Sequence, residues 1–149
     1  MTSNVLRIAS ALKSLYESIY GTSNDLTEMK MHKLLYFAQK THFKNFGEWM
    51  IEEEFEGWQH GPVNTEVRQS FHHLDRYQGS LSLEEEYTLR EVIHDYGGYT
   101  AGGLRNLSHL DACYKQSREG LAEDERGSQV ISKETIMLDV VDPDTDFYS

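Results

Sequence analysis

The chain has 149 residues, of which 38% are hydrophobic and 11% aromatic, and it carries a formal net charge of −11. This length is typical of one domain, and this composition is typical of a globular chain that buries its own core rather than of a disordered one. The charge argues against direct binding of nucleic acid, because phosphates require clustered Lys and Arg. It suits instead a protein that covers a basic patch on another protein.

Three sequence features bear on the compartment. A single cysteine excludes an internal disulfide and fits a reducing environment. No apolar run is long enough to span a membrane. The N-terminus lacks the charged and apolar regions of a signal peptide. We therefore expect a cytoplasmic protein that does not associate with a membrane.

The first two predicted elements are amphipathic helices. Apolar residues at helical spacing predict a helix over residues 5–19, which Gly21 ends. Asp25 or Thr27 is expected to cap the start of the second helix. The buried stripe of that helix recurs at i, i+3, i+4 and i+7, and consists of Met31, Leu34, Leu35 and Ala38.

The other face of the second helix is basic, although the protein is acidic. It carries, at spacings of three and four, Lys30, Lys33, Phe37, Lys40 and Lys44. One interpretation is a solvated face with a half-buried Phe37, since single exposed apolar residues are normal. The other is a docking face for an acidic partner, with Phe37 as anchor because aromatic residues dominate interface energetics.

An extended segment is expected around residues 50–60. In a strand its side chains would alternate, with Phe55, Gly57 and Gln59 on one side and Glu56, Trp58 and His60 on the other. Pro62 suits the first position of the next helix, because its missing N–H needs no partner there. Trp58 is either a core residue packed across the first two helices or an interface residue beside His60 and Pro62.

The rest of the chain is predicted to be helical with intervening loops. Helical patterns cover residues 63–74, 83–96 after a Ser82–Glu85 capping box, 101–110 after Thr100, 112–118 and 131–141. Residues 75–80 and 119–128 have loop composition, and the acidic residues 142–149 are expected to form a frayed tail. The predicted fold is mainly α: a single compact domain, residues 1–141, of about six helices with a minor extended element.

No convincing metal site emerges from the seven histidines. His72 and His73 are adjacent, so on a helix they project about 100° apart and do not readily share a metal. Glu28 and His32 have i, i+4 spacing, but a single such pair arises often by chance. We therefore predict no metal and no cofactor.

Cys113 is the one residue with a catalytic interpretation. As a nucleophile it would need His109, four residues upstream, as a base, and Asp111 could orient that histidine. The simpler interpretation is a small buried thiol beside a histidine that caps a helix. The sequence favours the second, and we predict no catalytic residues.

Three motifs occur in an order found in a known family. They are Lys-Met-His-Lys-Leu-Leu-Tyr-Phe-Ala-Gln at residues 30–39, Gly-Trp-Gln-His-Gly-Pro-Val at 57–63 and Val-Arg-Gln-Ser-Phe at 67–71. In this order they resemble the Panacea antitoxin domain, also called SocA-like or phage-associated, and the likeness extends over nearly the whole chain. The chain departs from the family pattern at two places. His60 stands where an aromatic ring is usual, and Cys113-Tyr114 stands where Pro-Trp often follows a Ser/Thr-His pair.

The resemblance implies an antitoxin that is not an enzyme and that neutralises a separate toxin protein by direct noncovalent binding. Delivery of the toxin to a host protease is a variant of this function. The alternatives are an inhibitor or accessory protein, encoded by a phage or mobile element, that binds a host protein, and a small hydrolase. The residues predicted to contact the partner are Lys33, Phe37, Lys40, Trp58, His60 and Pro62. The acidic segment 119–149 is a competing surface.

Overall fold

The computed structural model describes residues 4–122 and 125–141. Within these ranges there are seven α-helices: α1 Asn4–Tyr20, α2 Glu28–Phe46, α3 Thr65–Ser70, α4 Leu83–Tyr96, α5 Ala101–Ser108, α6 Ala112–Ser117 and α7 Lys133–Val141. A 3₁₀ segment spans Phe71–Tyr77, and the strands are β1 Phe55–Trp58, β2 Gly61–Val63 and β3 Val130–Ile131. The mainly α fold with a small extended element is thus confirmed. The predicted tail, 142–149, lies outside the described residues.

Helix α2 lies at the centre of the fold and is buried on all sides over much of its length. Ten consecutive residues, 30–39, are buried, because α2 packs against α4, α5, α7 and β2. Its predicted stripe is confirmed, and Leu35 is fully buried. The expectation that its basic face is exposed is wrong: Lys30 is 3%, Lys33 1% and Phe37 5% exposed. The fold leaves this helix with no free face until Lys40 and beyond.

Lys30 shows how a buried lysine of α2 is accommodated. Its ammonium donates hydrogen bonds to the Tyr16 hydroxyl at 2.9 Å and to the Gly97 carbonyl at 2.7 Å. It also lies 3.5 Å from the Asp25 carboxylate. These contacts tie α1 and α2 to the C-terminal end of α4, where an unpaired carbonyl favours a cation.

The helix ends follow the local sequence signals. Thr27, rather than Asp25, caps α2 by accepting from the Lys30 N–H. Ser82 and Glu85 form the predicted capping box of α4, and Thr100 caps α5. These side chains satisfy backbone N–H groups that have no partner within the helix, which fixes where each helix begins.

Residues 55–63 form a tight β-hairpin. Strands β1 and β2 are antiparallel, with Trp58 opposite Gly61, so that Gln59 and His60 make a two-residue turn. The expectation that Pro62 begins a helix is wrong. Pro62 lies in β2, an edge strand of the β2-β1-β3 sheet, where a residue without an N–H is tolerated. Helix α3 begins only at Thr65, and the helical path becomes 3₁₀ at residue 71.

Strand β3 was not predicted, and it determines the surroundings of the hairpin. It pairs with β1 through Phe55 and Ile131. The pairing continues backward along the chain, since the Gly57 N–H donates to the Gln129 carbonyl and the Gln59 N–H to the Arg126 carbonyl, each at 3.0 Å. This pairing places the segment before β3 beside Trp58.

Candidate functional site

A cavity of about 220 Å³ opens beside the hairpin turn. Helix α2 contributes Glu28, Met29, His32 and Lys33, the hairpin contributes Trp58, Gln59, His60 and Val63, and Arg68 and Arg126 complete the lining. We call it the hairpin cavity. Three of the six predicted partner-contact residues lie here: Lys33, Trp58 and His60.

Trp58 borders the cavity and lies outside the hydrophobic core. Its side chain is half-buried, and its indole N–H donates to the Glu56 carboxylate at 2.9 Å. The guanidinium carbons of Arg126 and Arg68 lie 4.0 Å and 5.0 Å from a Trp58 ring centroid. Such cation–π contacts contribute about 0.5–1 kcal/mol each at exposed sites. Of the two sequence interpretations, the core position across α1 and α2 is therefore wrong.

Lys33 lines the same cavity and is 1% exposed. No residue in the described part of the chain accepts a hydrogen bond from its ammonium or forms an ion pair with it. Burial, together with the nearby charge of Arg105, lowers the pKa of Lys33 from 10.5 to about 8. Gly61 makes room for it, since a Cβ atom at Gly61 would lie 3.3 Å from the Lys33 Nζ. The wall of the cavity thus contains a cation that pairs with no residue in the described ranges.

His32 and Glu28 are paired with each other rather than arranged for a metal. The Asn64 N–H donates to His32 Nδ1 at 3.2 Å, so the ring proton lies on Nε2, which is 3.0 Å from the Glu28 carboxylate. Burial lowers the pKa of His32 to about 4, so the ring is neutral at pH 7. The same Glu28 oxygen lies 3.6 Å from Arg68. The carboxylate of Glu28 is therefore already engaged and does not compensate Lys33.

More basic side chains lie behind the hairpin turn. His109 stacks on Tyr114 with ring centroids 4.4 Å apart, and burial and the Arg105 charge lower its pKa to about 4. The Nε atom of Arg105 and the Nε2 atom of His109 are buried, and neither has a hydrogen-bond partner among the residues that the structure describes. The Tyr114 hydroxyl donates to the Trp58 carbonyl at 2.5 Å, which holds α6 against the hairpin turn. Arg105 thus joins Lys33, Arg68 and Arg126 around one hairpin of an acidic protein.

The other predicted contact residues lie elsewhere. Phe37 is stacked on Tyr96 at 4.6 Å, and Lys40 is paired with Asp111 at 2.6 Å. Both line a second concave surface, between α2 and α7, which Lys44 also borders. Pro62 is buried in β2 and lines neither surface. The fold therefore divides the six residues into a hairpin group, an α2 group and one structural proline.

Cys113 is a buried thiol. Its sulfur lies 2.9 Å from the Tyr36 hydroxyl, and burial raises its pKa well above the ordinary value. His109, the proposed base, stacks on Tyr114 instead. Asp139, which the sequence did not single out, accepts from the Cys113 N–H at 2.9 Å. Burial and the neighbouring carboxylates of Asp139 and Asp111 disfavour the thiolate form that a nucleophilic cysteine needs.

Asp111, Cys113 and Asp139 bring three donor atoms within 4.8 Å of one another, a cluster that the sequence did not predict. Asp111 accepts from Tyr36 and Lys40, each at 2.6 Å, and Asp139 accepts from backbone N–H groups at the start of α6. These bonds anchor α6 and α7 to α2, and they account for the cluster as a structural one.

The geometry defines a small helical domain whose hairpin carries a cationic, tryptophan-bordered cavity. The family model described as Antitoxin SocA-like, Panacea domain matches residues 31–115, more than half of the chain. The protein belongs to this family, and the assignment made from the three motifs is confirmed. Comparison with curated proteins and with solved structures gave no match. No helix in the described ranges is long and apolar enough to cross a membrane.

Proposed function

We propose that the protein is an antitoxin that neutralises a separate toxin protein by direct, noncovalent binding. The observation that carries this proposal is the match of an antitoxin family over residues 31–115. The matched range includes all six predicted contact residues, and it ends before Arg126 and β3. In this proposal the bound antitoxin occludes the active site or the substrate surface of the toxin.

The surface around the hairpin turn is the best-supported contact surface. His60 and Arg68 are exposed, Trp58 is half-buried, and Arg126 lies against the Trp58 ring. Trp and Arg are the residue types most enriched among interface hot spots, because both combine a large contact area with a polar group. Trp58 thus takes the anchoring role that the sequence gave to Phe37, which is buried and stacked on Tyr96 inside the domain.

The proposal is tested by co-expression with the neighbouring gene. The neighbour should stop cell growth when expressed alone, and the wild-type protein should restore growth. Trp58→Ala should restore growth at least tenfold less efficiently, because loss of a hot spot costs about 2 kcal/mol or more. Tyr87→Ala is the matched control, since Tyr87 is an exposed aromatic on α4. Purified proteins should show the same order of affinities.

Two results would contradict the proposal. A neighbour that is harmless alone would redirect the search to a host protein as target. Full rescue without a complex between the purified proteins would exclude direct binding, and a fall in toxin level during rescue would indicate delivery to a host protease instead.

A further inference from the structure

The hairpin cavity contains a buried charge that no described residue compensates. Lys33 is 1% exposed and has no hydrogen-bond or ion-pair partner among the described residues. An ammonium group taken out of water without a partner is strongly disfavoured. Lys30, three residues earlier on α2, has two acceptors and a nearby carboxylate. The contrast singles out Lys33 as a cation that lacks its anion.

The charges around the cavity favour an anionic ligand. Glu28 is the carboxylate in the lining, and it is engaged by His32 at 3.0 Å and by Arg68 at 3.6 Å. Arg126 lies over the Trp58 ring. An incoming anion would meet Lys33 in the wall and the two guanidinium groups near the opening, on a protein that otherwise repels anions.

The shape and the walls select the kind of anion. A volume of about 220 Å³ is smaller than the pockets that hold drug-sized molecules, and it suits a single side chain or a chain terminus. Met29, Val63 and the Trp58 ring form apolar walls. A ligand that fills this space therefore needs an apolar stem behind its charge, which a free phosphate or sulfate ion does not have.

We propose that the hairpin cavity binds a carboxylate on an apolar stem, donated by a peptide segment of the partner protein and paired with the Lys33 ammonium. The inference deepens the proposed function and rests on it for the identity of the partner, which is the toxin. The carboxylate is either that of a Glu side chain or the C-terminal carboxylate of the partner. Trp58 closes over the stem, and Arg68 and Arg126 attract the charge toward the opening.

The test uses Trp58 as a reporter in the full-length chain. Trp49→Phe leaves Trp58 as the one tryptophan, and it preserves an aromatic ring at the stack of residue 49 on Phe43. Three short, otherwise uncharged peptides are titrated: one ending in Leu with a free carboxylate, the same peptide with an amide end, and an amide-ended peptide with an internal Glu. The first or the third should change Trp58 fluorescence saturably, and the second should bind at least tenfold more weakly.

Lys33→Met in the same background should weaken carboxylate binding at least tenfold. Its melting temperature should not fall, because methionine fills the space of the lysine stem without an unpaired charge. Lys44→Met, at an exposed position of α2, is the matched control and should bind as the parent does. Arg126→Gln changes only the opening and should weaken binding a few-fold, so it tests the site independently of α2.

Equal binding of the amide and carboxylate peptides, unchanged binding by Lys33→Met, or no saturable change with any peptide would overturn the inference. Its failure is distinguishable from failure of the antitoxin proposal. If peptides do not bind but co-expression rescues growth, the antitoxin proposal holds without this site. If carboxylate peptides bind through Lys33 but the neighbouring gene is harmless, the site holds and the toxin partner does not.

Discussion

Lys33 is buried where its charge costs stability in the free protein. Its pKa is lowered from 10.5 to about 8, so the folded state disfavours the protonated form that predominates at pH 7. Between about pH 8 and 10.5 the unfolded chain binds a proton at Lys33 that the folded protein does not bind. The free energy of unfolding therefore rises as the pH increases over this range. A shift of this size corresponds to roughly 3 kcal/mol.

Lys33→Met should therefore raise the free energy of unfolding at pH 7 by about 1–3 kcal/mol. Urea denaturation of wild type and variant at pH 7 measures the difference, and the exposed Lys44→Met should lie within about 0.5 kcal/mol of wild type. A Lys33→Met variant less stable than wild type would mean that the ammonium has a partner inside the fold.

His32 should make the protein sensitive to mild acid. Burial lowers its pKa from 6.5 to about 4, and the Asn64 N–H occupies the Nδ1 that a second proton would need. The folded state therefore holds a neutral ring, and its contribution to stability is present above pH 6.5 and is lost as the pH falls toward 4. The loss should approach about 3 kcal/mol. His109 acts in the same direction.

His32→Gln separates the two histidines. The variant should lose less stability than wild type between pH 6.5 and 4, as measured by chemical denaturation at several pH values. Parallel curves for the two proteins would show that His32 is protonated in the folded state and pairs with Glu28 as an ion pair.

The sequence singled out residues that line the candidate cavity, but it did not predict their environment. Lys33, Trp58 and His60 were singled out from their motifs, and they do line one cavity. The burial of Lys33 was missed, because spacing along α2 does not show that α4, α5, α7 and β2 cover its faces. Arg126 was missed because it reaches Trp58 through a strand pairing far along the chain.

Strand β1 and helix α6 approach each other closely at Gly57 and Ser117. A Cβ atom at Gly57 would lie 1.8 Å from the Ser117 hydroxyl oxygen and 2.8 Å from its Cβ, which no real contact allows. Gly57→Ala should therefore push α6 away from the hairpin and cost about 1–3 kcal/mol. The contact between Gly57 and Ser117 thus restricts position 57 to a residue without a Cβ atom.

A double-mutant cycle tests this packing. Ser117→Gly removes the colliding atoms, so Gly57→Ala combined with Ser117→Gly should be more stable than the sum of the two single effects by about 1 kcal/mol. Thermal or urea unfolding of the four proteins provides the values. Strict additivity would mean that α6 shifts freely and that the contact does not constrain the hairpin.

Elements with strong local signals were predictable, and those that depend on distant pairing were not. The capping box of α4 and the caps of α2 and α5 lie within a few residues of sequence, so local chemistry identifies them. Pro62 satisfies the local rule for a helix start, but pairing with β1 holds it in a strand. Strand β3 has only two residues, too few to produce an alternating pattern.

At the scale of the whole molecule, positive charge is concentrated against a negative background. The chain has 14 Lys and Arg against 25 Asp and Glu, yet Lys33, Arg105 and Arg118 surround the hairpin turn together with Arg68 and Arg126. The net charge counted from the sequence does not show where the charges lie. The fold shows that these cations lie close together. A partner that approaches the hairpin therefore meets several cations on a protein whose net charge is negative.

This cluster of cations at the hairpin should not be enough to bind nucleic acid. Binding to duplex DNA neutralises several phosphates at once, and each contact requires an accessible cation. Lys33 is buried, Arg105 is partly buried, and the surrounding acidic residues repel the backbone beyond the immediate contact. We therefore expect the protein not to retain duplex DNA at 0.15 M salt. The Debye length at this salt is about 8 Å, so only charges close to the contact contribute to binding.

A gel-shift assay with wild type and with Arg68→Glu combined with Arg126→Glu measures this directly. Both should leave the DNA unshifted. A shift by wild type that the double variant abolishes would make the hairpin a nucleic-acid surface, and both occlusion of a toxin and the carboxylate site would have to be given up.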